Sequence, residues 1–445
     1  MKKMAILLAA TVLLTTVLAG CSSKEKTTES KGTTASQSAN SGDASKKEVV
    51  LKVSIWGVEN YKTTLENVAS KFTEQHPNIK VEVMLIPSNE YAQKLSIMAA
   101  SKTAPDLAWM QYRTLDQFID ADQLLDIASL KTDAEYNFSD LNQNGLDFPQ
   151  RGDKLYAVPF LNIPKVMFFN KTLFEAKGLK TPLDLYDEGK WTWDEFINTA
   201  KALSDPSKGV YGASFITANG WKVWSDNLTD LLWQFGADFI SEDGQSFLLN
   251  SPEGEQALQA FSDMMFVDQI HPKPGDQTTF ESGQIAMNRH NYGYSATIRD
   301  KVSSFEWDIA PVPTGPKDDI PLADGSAFYS IMKDSENPEE AMLFLKYITG
   351  AEGMAQMSKL FVPARISVLN SGVLTKEVTS PSARGVKAAI IDKMAPGKMA
   401  SAPRHPNWQQ LDVKMQTGFD YLYANGSSVK EVLDRMEKDI TPLLK

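Results

Sequence analysis

The fold is decided by residues 49–86, which read VVLKVSIWGVENYKTTLENVASKFTEQHPNIKVEVMLI. Residues 49–56 are almost continuously apolar, as expected of a buried strand. Apolar residues then recur at helical spacing over 61–75, and Pro77 ends that pattern. From 79 to 85 the branched apolar residues stand at every second position, which predicts a half-buried strand. The quoted stretch therefore predicts the order strand, helix, strand.

The next residues extend this order by one helix and one strand. Residues 91–100 have a helical pattern, and 105–110 have that of a short buried strand. Alternating strands and helices predict an α/β fold with a mostly parallel sheet, whose ligands bind beyond the carboxyl ends of the strands. Those ends carry Trp56 and the pair Gln111 and Tyr112. Aromatic and amide side chains there suit a polar, ring-shaped ligand better than a phosphate.

The amino terminus has the pattern of a secretory signal. Lys2 and Lys3 precede an apolar run over 4–17, and small residues follow the run. The run is shorter than the roughly 20 residues that a membrane-spanning helix needs. We therefore expect residues 1–20 to be removed and the rest of the chain to work outside the cytoplasm.

Cys21 is the only cysteine, so it has no partner for an internal disulfide. It ends the sequence Leu-Ala-Gly-Cys, which resembles the lipobox of bacterial lipoproteins. The resemblance implies cleavage before Cys21 and acyl chains that anchor the protein to the cell membrane. The alternative is a chance cysteine after an ordinary signal. Residues 22–48 contain no Val, Ile, Leu, Met or aromatic residue, which predicts a disordered tether over 21–48.

The rest of the chain has the length and charge of a large acidic protein. The segment 49–445 is longer than a domain with a single hydrophobic core usually is, which favours two lobes. The formal net charge of −11 argues against a nucleic-acid partner and against electrostatic adhesion to anionic lipid.

Capping residues mark three further helices. The N-terminal capping patterns are Thr192 with Glu195, Asn337 with Glu340, and Ser251 before Pro252. They predict helices over 193–203, 252–268 and 338–349, with strands over 209–215 and 307–312 between them.

Motifs spread over nearly the whole chain resemble the family 1 extracellular solute-binding proteins of ABC importers, the maltose-binding-protein-like group. They are FTEQHPNIKV at 72–81, YAQKL at 91–95, LYAVP at 155–159, FFNKTLF at 168–174, WTWDEF at 191–196, FESGQIAM at 280–287 and PVP at 311–313. No single motif is decisive, and their order carries the resemblance.

The resemblance implies a two-lobed fold of the periplasmic-binding-protein type. Its ligand cleft would lie between two α/β lobes that are joined by hinge crossings. We expect lobe 1 at 49–162 plus about 278–320, and lobe 2 at about 163–277 plus 321–445. The sequence Asn162-Ile163-Pro164 is then a hinge candidate, and a plain surface turn is the alternative.

Sugar sites combine aromatic platforms with hydrogen-bonding side chains, because a sugar has apolar C–H faces and a ring of hydroxyl groups. By chemistry and position, the residues expected to contact a ligand are Trp56, Tyr61, Gln111, Tyr112, Asn162, Trp221, Trp224, Asn291, Tyr292, Asp324, Ser326, Arg365 and Trp408. We expect no catalytic residue, no cofactor and no metal site.

Several of these expectations have alternatives. Trp221 and Trp224 lie in a polar, glycine-containing stretch where a core tryptophan would be unusual. The spacing of Tyr61 also fits packing in a helix, Asn291 also fits a solvated loop, and Asp324 before a glycine also fits a turn. An acidic sugar would be favoured if five basic residues clustered: Arg289, His290, Arg365, Arg404 and His405.

The function implied by the resemblance is that of the extracytoplasmic substrate-binding component of an ABC transporter. Such a protein captures a carbohydrate by hinge closure, here expected to be an oligosaccharide, with an acidic one left open. It then delivers the ligand to the permease subunits, which work with a cytoplasmic ATPase. The chain length and the lack of an oligomerisation segment favour a monomer.

Three other classes stay open. A secreted carbohydrate-active enzyme needs only two carboxylates, although the chain has no His-Glu-x-x-His, no Gly-x-Ser-x-Gly and no phosphate-binding glycine loop. Its four histidines also lack the spacing of metal ligands. The same fold can instead bind a peptide, a polyamine or an iron complex, because fold does not fix function. A structural lipoprotein or adhesin would not close on a ligand.

Overall fold

The computed structural model describes residues 47–88, 90–143, 145–216, 224–317, 322–376, 378–394, 399–401, 405–425 and 428–445. The signal peptide, the lipidation of Cys21 and the tether up to residue 46 lie outside these residues and stay predictions. Among the helices of the described part of the chain, none is long and apolar enough to span a membrane.

The strands are β1 Val49–Trp56, β2 Ile79–Ile86, β3 Leu107–Gln111, β4 Gln150–Arg151, β5 Lys154–Leu155, β6 Val158–Asn162, β7 Lys165–Asn170, β8 Tyr211–Ser214, β9 Ile285–Asn291, β10 Trp307–Ala310, β11 Leu322–Asp324, β12 Ala327–Ile331, β13 Val362–Pro363 and β14 Met399–Ser401. The helices are α1 Glu59–Gln75, α2 Tyr91–Ala100, α3 Tyr112–Asp120, α4 Lys171–Lys177, α5 Pro182–Asp187, α6 Trp193–Leu203, α7 Trp224–Phe235, α8 Pro252–Phe266, α9 Tyr294–Lys301, α10 Pro338–Ile348, α11 Ala351–Met357, α12 Ile366–Leu369, α13 Ala383–Val386, α14 Trp408–Asn425 and α15 Val429–Ile440.

The first large sheet has six strands in the order β13-β6-β12-β3-β1-β2. β1 pairs in parallel with β2 and with β3, which confirms the strand and helix order predicted from the amino-terminal stretch. β12 is antiparallel to β3 and to β6, so the sheet is mixed. Because Trp56 pairs with Ile86 and Gln111 ends β3, the parallel strands end at one edge of the sheet.

The second large sheet has four strands in the order β10-β7-β9-β8. β7 runs antiparallel to β9 and β10, and β8 runs parallel to β9. Side chains of β7 alternate between two hydrophobic clusters, with Met167 and Phe169 in one and Val166 and Phe168 in the other. Successive side chains of a strand point to opposite faces, so this sheet is covered on both faces.

The cores follow the two sheets. One cluster surrounds the six-stranded sheet and includes Leu51, Val53 and Ile55 of β1, all fully buried. A second cluster joins one face of the four-stranded sheet to helices that include α6, α7, α8, α14 and α15. A third cluster covers the other face of that sheet with residues between Val362 and Met394. The chain is therefore an α/β protein with two lobes, each built on one of these sheets.

The strand pairing contradicts part of the expected division into lobes. β9 and β10 were expected in lobe 1, but they pair with β7 and β8 in the four-stranded sheet. β12 and β13 were expected in lobe 2, but they pair with β3 and β6 in the six-stranded sheet. Apolar patterning shows that a segment is a strand and carries no information on its partner. That is why the return segments were assigned to the wrong lobes.

The chain crosses between the lobes at three places. The first crossing leads from β6 to β7 and contains only Ile163 and Pro164 between the strands. The second crossing leads from β10 through β11 to β12, and the third leaves the six-stranded sheet after β13. The short first crossing lies at the predicted hinge sequence.

The predicted helix starts agree closely with the structure. α6 spans 193–203, and the Thr192 hydroxyl accepts a hydrogen bond from the Glu195 backbone N–H. α8 and α10 begin at the predicted Pro252 and Pro338 and end slightly early. Asn337 makes no side-chain cap bond, so its part in that capping prediction was wrong.

Candidate functional site

An aromatic cluster lies at the edge of the six-stranded sheet where β1 and β3 end. It consists of Trp56, Tyr61, Trp109 and Phe361. The ring centroids of Trp56 and Trp109 are 4.3 Å apart, and those of Tyr61 and Phe361 are 4.7 Å apart. Trp109 is buried, whereas Trp56 and Tyr61 are half-buried. Phe361 is half-buried as well, so the cluster presents three partly accessible rings around the buried Trp109.

Gly57 allows the turn that places Tyr61 on this cluster. Its φ of +127° lies in a region that side chains rarely adopt, and a Cβ there would lie 2.4 Å from Cδ2 of Tyr61. The chain can thus leave β1, enter α1 within a few residues and place the Tyr61 ring against Trp109 and Phe361. Burial raises the pKa of Tyr61, so its hydroxyl stays protonated and can donate a hydrogen bond.

The end of β9 brings the second lobe to the same place. A Cβ built on Gly293 would lie 3.2 Å from the Leu360 carbonyl oxygen, 3.3 Å from Oδ1 of Asn291 and 4.0 Å from Oη of Tyr61. The half-buried Asn291 amide and the Tyr61 hydroxyl are therefore close enough for one small ligand to contact both. The chain is fixed here because the Tyr292 N–H donates to the Pro164 carbonyl at 3.0 Å.

Arg289, on the same strand, forms a buried ion pair with Asp230 of α7. Its Nε donates to Asp230 at 2.9 Å, and its Nη1 donates to the Asn227 carbonyl at 2.7 Å. Burial lowers the pKa of Arg289 to about 9, so the guanidinium stays charged at neutral pH. The pair connects β9 to the first turns of α7, and both side chains are 1% exposed.

His290 lies between this pair and Asn291 and is neutral. Its ring stacks on Tyr294 with centroids 4.3 Å apart. Burial lowers the pKa of His290 to about 4, so it carries no charge at neutral pH. The described end of β9 therefore offers an amide and a neutral ring.

The structure brings together three of the residues predicted from sequence: Trp56, Tyr61 and Asn291. Gln111 is exposed at the end of β3, at the same edge of the sheet. Their contact with a ligand stays a prediction. Trp221 lies outside the described residues, as does the side chain of Asp324, whose backbone forms the end of β11.

Tyr112 and Trp224 are buried in this conformation, and their expected contact with a ligand stays a prediction. Tyr112 begins α3 and turns inward to pack on Phe148, with ring centroids 5.4 Å apart. Trp224 is 1% exposed, and its Nε1–H donates to Asp412 at 2.7 Å. Trp408 is half-buried and stacks on Trp224 at 5.6 Å, so this face of its ring is already covered. The polar sequence around Trp224 did not reveal these distant partners.

Tyr292 and Arg365 are also buried, against expectation. Tyr292 is 1% exposed, and its hydroxyl donates to the Leu374 carbonyl at 3.4 Å. Arg365 is 3% exposed and donates to the carbonyl oxygens of Tyr136 at 2.8 Å and Thr349 at 2.7 Å. A guanidinium surrounded by backbone acceptors is a structural group in this conformation.

Asn162 and Ser326 are buried and bonded to each other. The Ser326 hydroxyl donates to Oδ1 of Asn162 at 3.0 Å, and the Asn162 amide donates to the Pro363 carbonyl at 3.3 Å. Both groups bond inside the protein in this conformation, and their expected contact with a ligand stays a prediction.

Trp109 and Phe361 belong to the aromatic cluster and were not predicted as candidates. Trp109 was interpreted only as part of a buried strand, and Phe361 follows α11 far along the chain from α1. The only signal available was that Phe361 lies four residues before Arg365, which was itself a candidate. In the described residues, no group of three or more His, Cys, Asp and Glu side chains is placed to hold a metal ion.

A two-lobed α/β fold with an aromatic and amide site between its lobes defines a protein that binds small solutes. The chain matches the bacterial extracellular solute-binding proteins over residues 56–355 and belongs to that family. Among curated relatives, a putative binding protein of Brucella abortus is 23% identical over 66% of this chain and 70% of its own length. The diacetylchitobiose binding protein of Streptomyces coelicolor is 21% identical over 84% of this chain and 85% of its own length.

Solved structures share the fold over most of the chain. An ABC substrate-binding protein from Listeria monocytogenes in complex with cycloalternan has a TM-score of 0.74 at 22% identity. The match covers 89% of this chain and 99% of that chain. A maltose-bound protein of T. maritima has a TM-score of 0.73 at 20% identity and covers 89% of this chain and 100% of that chain.

Proposed function

We propose that the protein is the extracytoplasmic substrate-binding component of an ABC transporter and that it captures a neutral carbohydrate. The observation that carries the proposal is the aromatic cluster with the half-buried rings of Trp56 and Tyr61, together with the Asn291 amide close to the Tyr61 hydroxyl. Sugar C–H faces pack on aromatic rings, and sugar hydroxyls bond to amide and phenol groups. The first lobe offers the aromatic rings and the phenol, and the second lobe offers the amide.

Relatives support the carbohydrate class without selecting one sugar. Their names include diacetylchitobiose, cycloalternan, maltose, α-D-tagatose and erythritol or L-threitol as ligands. One structural neighbour was solved with glycerophosphocholine. We propose an oligosaccharide, because rings from β1 and α1 give more than one stacking surface.

An acidic sugar is the less supported alternative. Of the basic residues that suggested it, Arg289 pairs with Asp230 in the second lobe, and Arg365 is enclosed by backbone carbonyls in the first. His290 is neutral because burial holds its pKa at about 4. Arg404 lies outside the described residues. These observations favour an uncharged ligand.

The proposed mechanism is ligand-driven closure of the two lobes about their crossings. A ligand shifts the population toward the closed form only by as much as it prefers that form. The closed form would be recognised by the permease subunits and their ATPase. We further propose a monomer held to the outer face of the cell membrane through acylated Cys21, without enzymatic activity.

A thermal-shift screen with product analysis tests this function. A ligand that binds only the native state raises the melting temperature. The panel contains maltose and larger neutral oligosaccharides, a galacturonic-acid oligomer, spermidine and a short peptide. We expect a shift with neutral sugars and no new products by chromatography. A shift with spermidine or the peptide alone would contradict the carbohydrate class, and consumption of a glycan would contradict the binding function.

A further inference from the structure

Asn162 lies at the point where the first crossing leaves the six-stranded sheet. It is the last residue of β6 and is 3% exposed. Its amide nitrogen donates to the Pro363 carbonyl at 3.3 Å, and its amide oxygen accepts from the Ser326 hydroxyl at 3.0 Å. An amide both donates and accepts, so one side chain can hold two other segments at once.

The three bonded residues belong to three different crossings. Ser326 immediately precedes β12 at the end of the second crossing, and Pro363 ends β13 at the start of the third. Backbone pairing brings the same strands together, since Val362 pairs with Asn162 and Ala327 pairs with Leu161. The Asn162 side chain therefore closes a link among all three crossings where they leave the first lobe.

The first two crossings are also in direct contact. A Cβ built on Gly325 would lie 3.1 Å from Cβ of Ile163 and 3.5 Å from its carbonyl oxygen. A side chain at position 325 would be crowded at these distances. The two crossings can therefore touch only because Gly325 has no side chain. Gly325 adjoins Ser326, and Ile163 adjoins Asn162. A small shift of either crossing therefore also changes the distance between the bonded side chains of Asn162 and Ser326.

We infer that Asn162 is a positioning residue that ties the three crossings together and limits the relative motion of the lobes. The inference depends on the two-lobed fold and not on which ligand the protein binds. Asn162 acts through Ser326 and Pro363, which occupy both ends of its amide. Loss of the amide would free the crossings from one another and widen the range of lobe orientations in the absence of ligand.

The test measures the distance between lobes in the ligand-free protein. The whole chain carries Cys21→Ser, so that spin labels attach only to cysteines introduced by Lys71→Cys on α1 and Gln256→Cys on α8. Both positions are exposed, one in each lobe. Double electron–electron resonance then compares this protein with the Asn162→Ala variant. We expect a broader distance distribution for Asn162→Ala, and a smaller broadening for Ser326→Ala, which removes one of the two bonds.

The matched control is Asn170→Ala. Asn170 is also a buried asparagine with two hydrogen bonds, from the Leu173 N–H and to the Gly283 carbonyl, but both lie within the second lobe. It should lower the melting temperature without broadening the distribution. The inference is overturned if Asn162→Ala leaves the distribution unchanged, even where sugar affinity falls, or if Asn170→Ala broadens it equally. If Asn162→Ala does not fold, Ser326→Ala decides by the same criterion.

Discussion

Trp56 and Tyr61 combine two properties that a sugar platform requires. Their rings are held by Trp109 and Phe361 at centroid distances between 4.3 and 6.3 Å, so little rotamer freedom is left to lose on binding. Both rings nevertheless stay half-buried and not fully covered. A rigid and partly accessible aromatic surface favours binding, because its side chains are already ordered in the folded protein and lose little entropy when the ligand binds.

Replacement of Trp56 by alanine should weaken sugar binding. Truncation of a central aromatic contact costs about 2 kcal/mol or more, which is roughly thirtyfold in Kd. Isothermal titration calorimetry with the sugar found in the screen measures the change. Trp233→Ala is the control, because Trp233 is also half-buried but donates to Asp238 in the second lobe. Equal losses in both variants would contradict the role of Trp56.

Removal of Arg289 should destabilise the protein more than removal of the whole ion pair. Arg289→Met leaves the Asp230 carboxylate buried without its partner, which costs about 3–5 kcal/mol. The double variant Arg289→Met with Asp230→Leu should recover part of that loss, because no buried charge remains. Urea unfolding of the single and double variants measures the difference. A double variant as unstable as the sum of both single variants would show that the pair is not coupled.

At the scale of elements, the segment directly after β8 is held by a neutral histidine. His271 is buried, and its Nε2 accepts hydrogen bonds from the backbone N–H groups of Phe215 at 2.8 Å and Ile216 at 3.2 Å. Its Nδ1 lies 2.7 Å from the Pro272 carbonyl and donates to it. Protonation of Nε2 would break both acceptor bonds, and burial accordingly lowers the pKa of His271 to about 4.

This depressed pKa predicts an acid-sensitive contribution to stability. Between pH 6.5 and 4 the unfolded chain binds the proton and the folded chain does not, so stability falls as the pH falls. His271 alone accounts for about 3 kcal/mol over that interval. We expect His271→Phe to be less stable than the wild type at neutral pH but to lose less stability on acidification. The acid-dependent loss of stability that is due to His290 should remain in this variant. Parallel pH dependence of the melting temperatures would contradict this assignment.

Elements that depend on local pattern were predictable, and their partners were not. β1, α1 and β2 follow from apolar spacing within 49–86, and α6 follows from Thr192 and its neighbours. The sheet to which β9 belongs depends on pairing with β7, over a hundred residues away in sequence. Trp224 similarly owes its burial to Asp412 and Trp408. Long-range pairing therefore decided which predicted site residues come together.

At the scale of the molecule, the two lobes meet at three crossings that are held close together. The aromatic cluster belongs to the first lobe and Asn291 to the second, so a ligand between them contacts both lobes. Such a ligand stabilises the arrangement in which both sets of contacts form, and this is the physical basis of closure. The division of the chain into lobes that follows from strand pairing is part of this proposal.

Ligand-driven closure is tested most directly by small-angle X-ray scattering of the whole chain carrying Cys21→Ser, with and without the sugar that gives the largest thermal shift. Our account predicts a smaller radius of gyration at saturating sugar, with no change in molecular mass. An unchanged radius at a concentration where calorimetry shows full occupancy would contradict capture by closure.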